Sequence, residues 1–314
     1  MSDQCDAHPA PSSNTVKTQS THATCFARAI RLLTSAATPL RCALTILGLG
    51  CLHLAAAAAQ FDAPIVPADP AAAGRELVAR LLSLRPAESL TNEAVLRVRV
   101  SKTNQFEVPL RIEVYVNETN WSTTYSAQLP GGSETNGNTL AMDKVKIVRT
   151  TGAANVYEQT HTSFPISKSY SSSEVSSFSI GPKVRKFAAF GGADALVPFA
   201  GSDFLLADLG MEFLHWPTQR LLKKELCRGQ SCDKLESVAP QGWTNGYVRV
   251  VSWFDIDTGG PVLVEAYDVK GKMEKEFKPN DFTKVNGQWQ VEELEMNNLR
   301  TGSRSFLHFK LEGK

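Results

Sequence analysis

Gly201-Ser-Asp-Phe-Leu-Leu-Ala-Asp-Leu209 is followed, as far as Phe309, by strand after strand with almost no helix. Ser202 or Asp203 can cap a helix there, because either side chain accepts from the orphan N–H groups of a first turn. The pattern predicts a helix to about Phe213, with Leu205, Leu206, Leu209 and Phe213 on its apolar side and Pro217 closing it after His215-Trp216. Strands are then expected near 219–226, 232–238, 247–254, 262–268, 273–277, 288–296 and 303–311. The turns between them are Asp257-Thr-Gly-Gly, Asp268-Val-Lys-Gly and Asn286-Gly287. Such a meander has an apolar face that needs a cover: the chain's own helices, a partner or a lipid.

The upstream half reads the same way. Leu96, Val98 and Val100 alternate with Arg97 and Arg99. Phe106, Val108, Leu110, Ile112, Val114 and Val116 fall on one face of a long strand, with Glu107, Arg111, Glu113 and Tyr115 on the other. Trp121, Thr123, Tyr125 and Ala127 continue on the next strand, and further strands are expected at 140–148 and 155–159. Period-2 alternation of this kind marks a half-buried antiparallel sheet. Ahead of it, Ala71 to Leu84 reads as a helix, with Leu77, Leu81 and Leu82 on one face. Ser167 to Ser179 is a Ser-rich loop.

A sheet of about eleven strands twists and curls. The two or three available helices cover one side only. The expected fold is mainly β (α+β): a curled antiparallel sheet forming an incomplete β-barrel with a few lid or plug helices. Its mouth would suit an apolar ligand.

Residues 1–59 read as a leader. Arg41 precedes the apolar run Cys42 to Leu54, and small residues follow to Ala59, with cleavage expected near Ala59-Gln60. The run is short against the roughly 20 residues a membrane span needs. The polar segment before it is longer than a leader requires, so the start codon is expected downstream of Met1. Lipidation at Cys51 is not expected, because Gly48 stands where a lipobox carries a branched aliphatic residue. This gives a leader at 1–59, a linker at 60–70 and one β-domain at 71–314, exported to the periplasm. The formal net charge is +1 with no basic block, which argues against nucleic acid as a partner.

Cys227 and Cys232 are the two cysteines outside the leader. A hairpin with Arg228 to Ser231 as its loop would set them opposite each other, and a disulfide is expected in an exported protein. So small a loop adds roughly 2 kcal/mol.

Catalytic signals are weak. His161, His215 and His308 lack metal-ligand spacing. Asp203 and Asp208 read as a cap and an exposed first-turn acid, and Glu293 and Glu295 as a solvated strand face. No G-x-S-x-G elbow or phosphate loop is present. No enzyme activity, cofactor or metal is expected.

The runs Gly201 to Leu209, Trp253-Phe-Asp-Ile-Asp-Thr-Gly259, Tyr267 to Lys275 and Val285-Asn-Gly-Gln-Trp289 resemble the bacterial outer-membrane lipoprotein-sorting proteins, relatives of the periplasmic carrier LolA. The resemblance covers roughly residues 71–312 and rests on the order of segments. It implies an open β-barrel with a helical lid that binds acyl chains of lipoproteins, or phospholipid. It also implies an inner-membrane lipoprotein-releasing transporter as donor and an outer-membrane acceptor. The family's early-strand arginine has three candidates, Arg97, Arg99 and Arg111. The Ser-rich insert and the cysteine pair depart from LolA. Candidate cavity residues on the early strands are Leu96, Val98, Val108, Leu110, Ile112, Val114, Trp121 and Tyr125. The lid helix adds Leu205, Leu209 and Phe213, and the meander adds Trp253. For the aromatic residues, ordinary sheet core is the competing assignment. The alternative function is a structural or protein-interaction β-domain of the cell envelope.

Overall fold

The computed structural model describes residues 66–129, 139–165, 182–243, 246–285 and 288–311. The expected leader, most of the linker, the Ser-rich loop and the Asn286-Gly287 turn lie outside the described residues.

The chain builds α1 (Pro70–Ser83) and six strands: β1 (Leu90–Arg99), β2 (Gln105–Val116), β3 (Asn120–Leu129), β4 (Thr139–Thr150), β5 (Val156–Pro165) and β6 (Lys183–Lys186). A lid segment follows. It contains single 3-10 turns at Gly192–Ala195 and Glu212–His215, with α2 (Leu206–Gly210) between them. Seven strands complete the fold: β7 (Thr218–Cys227), β8 (Gln230–Val238), β9 (Arg249–Asp255), β10 (Pro261–Tyr267), β11 (Met273–Val285), β12 (Gln288–Asn298) and β13 (Arg304–Lys310).

All thirteen described strands form one antiparallel sheet, ordered β6-β5-β4-β3-β2-β1-β13-β12-β11-β10-β9-β8-β7. Neighbours in the sheet are neighbours in the chain except at β1–β13, where Leu96 faces Leu307. The two meanders are therefore stitched by their first and last strands. The edges β6 and β7 do not pair, so the barrel stays open.

Alternation decides which face is covered. In β2, Val108, Leu110, Ile112 and Val114 are buried while their neighbours point outward. Val108, Leu110 and Ile112 join a core with β1, β3–β5, β12, β13 and Phe199 to Ala207 of the lid. A second core joins α1 and Phe213 to Trp216 to β7–β10. The lid thus packs against both halves of the sheet.

α1 starts where Asp69 accepts from the N–H groups of Ala71 and Ala72, with Pro70 pre-set for the first turn. It buries Leu77, Val78 and Leu81. Gly74 lets it approach β7 closely: a Cβ there would lie 2.7 Å from the backbone of Arg220.

Three expectations need correction. The lid helix is five residues long, not eleven or so. It stops at Met211, whose φ of 50° lies in the left-handed region and turns the chain into the 3-10 turn. β11 runs past Pro279 to Val285, because register shifts at Pro279 to Phe282 absorb the missing N–H. The cysteines are free thiols. The β7–β8 turn is only Arg228-Gly229, both with positive φ, so Cys227 faces Gln230 and Cys232 faces Glu225. Burial pushes the Cys227 thiol up, and the Cys232 thiol up to about 12.

Candidate functional site: an apolar cavity beneath the lid

A cavity of about 210 Å³ lies between the concave face of the sheet and the α1–lid layer. Its walls are mostly aliphatic and aromatic. They come from α1, both strand sets and α2, represented by Leu81, Ile112, Phe254 and Leu209.

The lid is held over it by three acids, of which Asp203 and Glu212 are buried and Asp208 is partly buried. Asp203 does not cap a helix. Its Oδ1 accepts from Asn298 Nδ2 at 2.9 Å and Ser303 Oγ at 2.6 Å, and its Oδ2 from Ser305 Oγ at 2.8 Å. That ties the lid to the β12–β13 turn. Asp208 is not an exposed acid. Its Oδ1 accepts from the Tyr247 hydroxyl at 2.6 Å, and its Oδ2 from the Leu205 N–H at 2.8 Å and Lys275 Nζ at 3.2 Å. Lys275 also donates to the Asp203 carbonyl at 2.6 Å. Glu212 accepts from the Tyr157 hydroxyl at 2.9 Å and Asn155 Nδ2 at 3.2 Å. Burial, then the Glu212 and Asp208 charges respectively, hold the Tyr157 and Tyr247 phenols far above their usual range, so both stay donors.

Arg149 is the polar landmark of the wall. Its guanidinium lies 4.4 Å from the centre of the Trp121 ring, donates to Thr123 Oγ1 at 3.2 Å and reaches the Leu209 carbonyl at 3.1 Å. Arg85 also lines the cavity and donates to the carbonyls of Asn117, Glu118 and Asn120. His215 lines it too; burial lowers its pKa, with Arg149 contributing and Glu212 opposing.

Of the expected cavity residues, Ile112, Val114, Trp121, Tyr125 and Leu209 meet at the wall. Leu96, Val98, Val108 and Leu110 share the concave face but are sealed in the first core beneath the lid. Leu205 packs between the two cores and Phe213 lies in the second. Trp253 is on the opposite face. It packs with Cys232 and Val251, donates to Glu225 at 2.8 Å and carries Lys234 over its ring. The side-chain period of two sends its neighbour Phe254 to the cavity instead. Trp216 and Trp243 form a T-shaped pair in the second core, and Trp289 is exposed.

Arg97 pairs with Glu107, and Arg111 with Glu93 and Glu113; neither lines the cavity, and Arg99 does not either. Arg149 was legible by another route. It continues the face of Val145 and Ile147, so a cation sits on an apolar stripe. Among the described residues, no three His, Cys, Asp or Glu are grouped to hold a metal.

The fold, an open antiparallel half-barrel under a short lid, is similar to that of solved structures. A putative outer membrane lipoprotein-sorting protein domain from Vibrio parahaemolyticus is similar over 77% of this chain and 92% of its own, with 18% identity and a TM-score of 0.54. A DUF1329 family protein from Desulfovibrio piger has the same identity and coverage and a TM-score of 0.53. A LolA superfamily protein from Nitrosomonas europaea aligns more loosely, at 15% identity and a TM-score of 0.45. A family model described as "Uncharacterized protein" matches residues 146–311, more than half of the chain, and the chain belongs to that family. No curated protein matches the sequence.

Proposed function

We propose that this protein is a non-catalytic carrier of acyl chains, borne by lipoproteins or phospholipids, acting in the periplasm after export by its leader. The supporting observation is the apolar cavity between lid and sheet; Asp208, the acid that lines it among the described residues, is engaged in holding the lid. Burying about ten methylenes at about 0.8 kcal/mol each gives roughly 8 kcal/mol before costs, a micromolar affinity. That is tight enough to load and loose enough to pass on to a membrane acceptor. Among the described residues no helix is long and apolar enough to cross a membrane.

The test is direct. The chain from Gln60 onward is purified from bacteria, extracted with organic solvent and examined for lipid by mass spectrometry. A fluorescent fatty-acid analogue is then titrated, and Ile112→Trp is expected to weaken its binding at least about tenfold by filling the cavity while the fold persists. Absence of both lipid and probe binding would sink the carrier reading and favour an interaction domain of the envelope.

A further inference from the structure

One end of the sheet carries both the mouth of the cavity and exposed aromatic residues. The turns β2–β3, β4–β5, β7–β8 and β9–β10 lie at the end where β1 begins and β13 finishes, and β11 ends and β12 begins there too, as the strand registers require. The cavity reaches this rim, because Gly152 of the β4–β5 turn, Gly259 of the β9–β10 turn and Leu84 after α1 line it. The rim displays Leu226 at 75% exposure, Tyr115 at 62%, Phe282 at 40% and Trp289 at 39%, with Leu84 and Val156 beside them. Among the described residues, Val100, Val184, Val269 and Leu299 are exposed apolar residues toward the opposite rim.

We infer that this rim is a docking surface for a lipid bilayer, laid on the membrane so that the cavity opens toward the acyl layer. The inference rests on the carrier reading and says how the cavity meets its source. Trp and Tyr are suited to the headgroup level, where one end of the ring is apolar and the other wet. The rim's charges are mixed: Arg85, Arg228 and Lys284, the last stacked over Trp289, against Glu118, Asp257 and Asp281. Attachment therefore runs on buried apolar area rather than on attraction to anionic lipid, and it should survive salt.

The experiment is co-sedimentation of the chain from Gln60 onward with vesicles of neutral phosphatidylcholine, at low and high salt. Wild type is expected to pellet with vesicles in both. Phe282→Ser with Trp289→Ser, and Leu226→Ser with Tyr115→Ser, should each weaken pelleting at least about tenfold. Val269→Ser with Leu299→Ser, at the other rim, should leave it unchanged. Circular dichroism melts confirm that each variant is folded, and these exposed residues do not line the cavity, so fluorescent fatty-acid binding should be retained throughout. Failure of wild type to pellet, equal pelleting of the rim variants, or pelleting only with anionic lipid at low salt overturns the inference. A wild-type dimer in sedimentation velocity that the rim variants abolish, without vesicle binding, also overturns it and assigns the patch to self-association. Probe binding without pelleting refutes docking alone; pelleting without probe binding refutes the carrier reading alone.

Discussion

At the residue scale, the acid at position 203 shows what pattern reading misses. A serine or aspartate before an apolar run reads as a helix cap, and the local sequence supports it. The true partners, Asn298, Ser303 and Ser305, are about a hundred residues away and carry no local signal. Asp203→Ala leaves these donors without their shared acceptor, so it is expected to lower unfolding stability by about 2–4 kcal/mol in urea melts. A loss below about 0.5 kcal/mol would mean water replaces the carboxylate at little cost. Gly210 is constrained by contact rather than by φ: a Cβ would fall 1.9 Å from the Tyr157 hydroxyl. His215 gives a pH signature. Its folded pKa is depressed by burial, so the unfolded chain takes up the proton first as pH falls. Its contribution is neutral above about pH 6.5 and turns destabilising from there down to the folded value. His215→Gln is expected to flatten that part of the stability–pH curve, read as thermal midpoints between pH 7.5 and 5.

At the element scale, much was legible. The period-2 runs in β1 to β3 place their residues on the correct face, because one buried face fixes register. α1 begins within a residue of its expected start, since the Pro and the leucine spacing are local signals. The cysteine hairpin has a tighter turn than expected because a two-residue Arg-Gly turn and a four-residue loop are close in sequence, and only Gly229 marks the tighter one. The lid helix is shorter than its sequence suggests, because Leu205 to Phe213 keeps helical spacing while the chain turns at Met211. The closeness of α1 to β7 was not visible at all; Gly74 within a helix reads only as a weak position. Gly74→Ala must push α1 from the Arg220 backbone, so a loss of about 1–3 kcal/mol is expected in thermal melts. An unchanged midpoint would show that α1 can slide along the edge strand.

At the scale of the whole molecule, the lid behaves as a clasp between two meanders whose backbone ladders join at β1 and β13. Asp203 holds it to β12–β13, Asp208 to Tyr247 and β11, and Glu212 to the start of β5. The sheet keeps its own backbone ladder without these side chains, so the clasp can open while the wall stays intact. Asp208→Asn separates the two. An amide in place of the carboxylate removes the charge facing Lys275 and cannot accept from Tyr247, Leu205 and Lys275 in the same arrangement. Hydrogen exchange of residues 204–215 is expected to speed up at least about tenfold, with β2, β3 and β12 protected as before. Fluorescent fatty-acid release should quicken with it, because the lid carries the Leu209 wall of the cavity. If β12 and β13 lose protection together with the lid, the three acids hold the whole sheet, and opening the cavity then requires unfolding its wall.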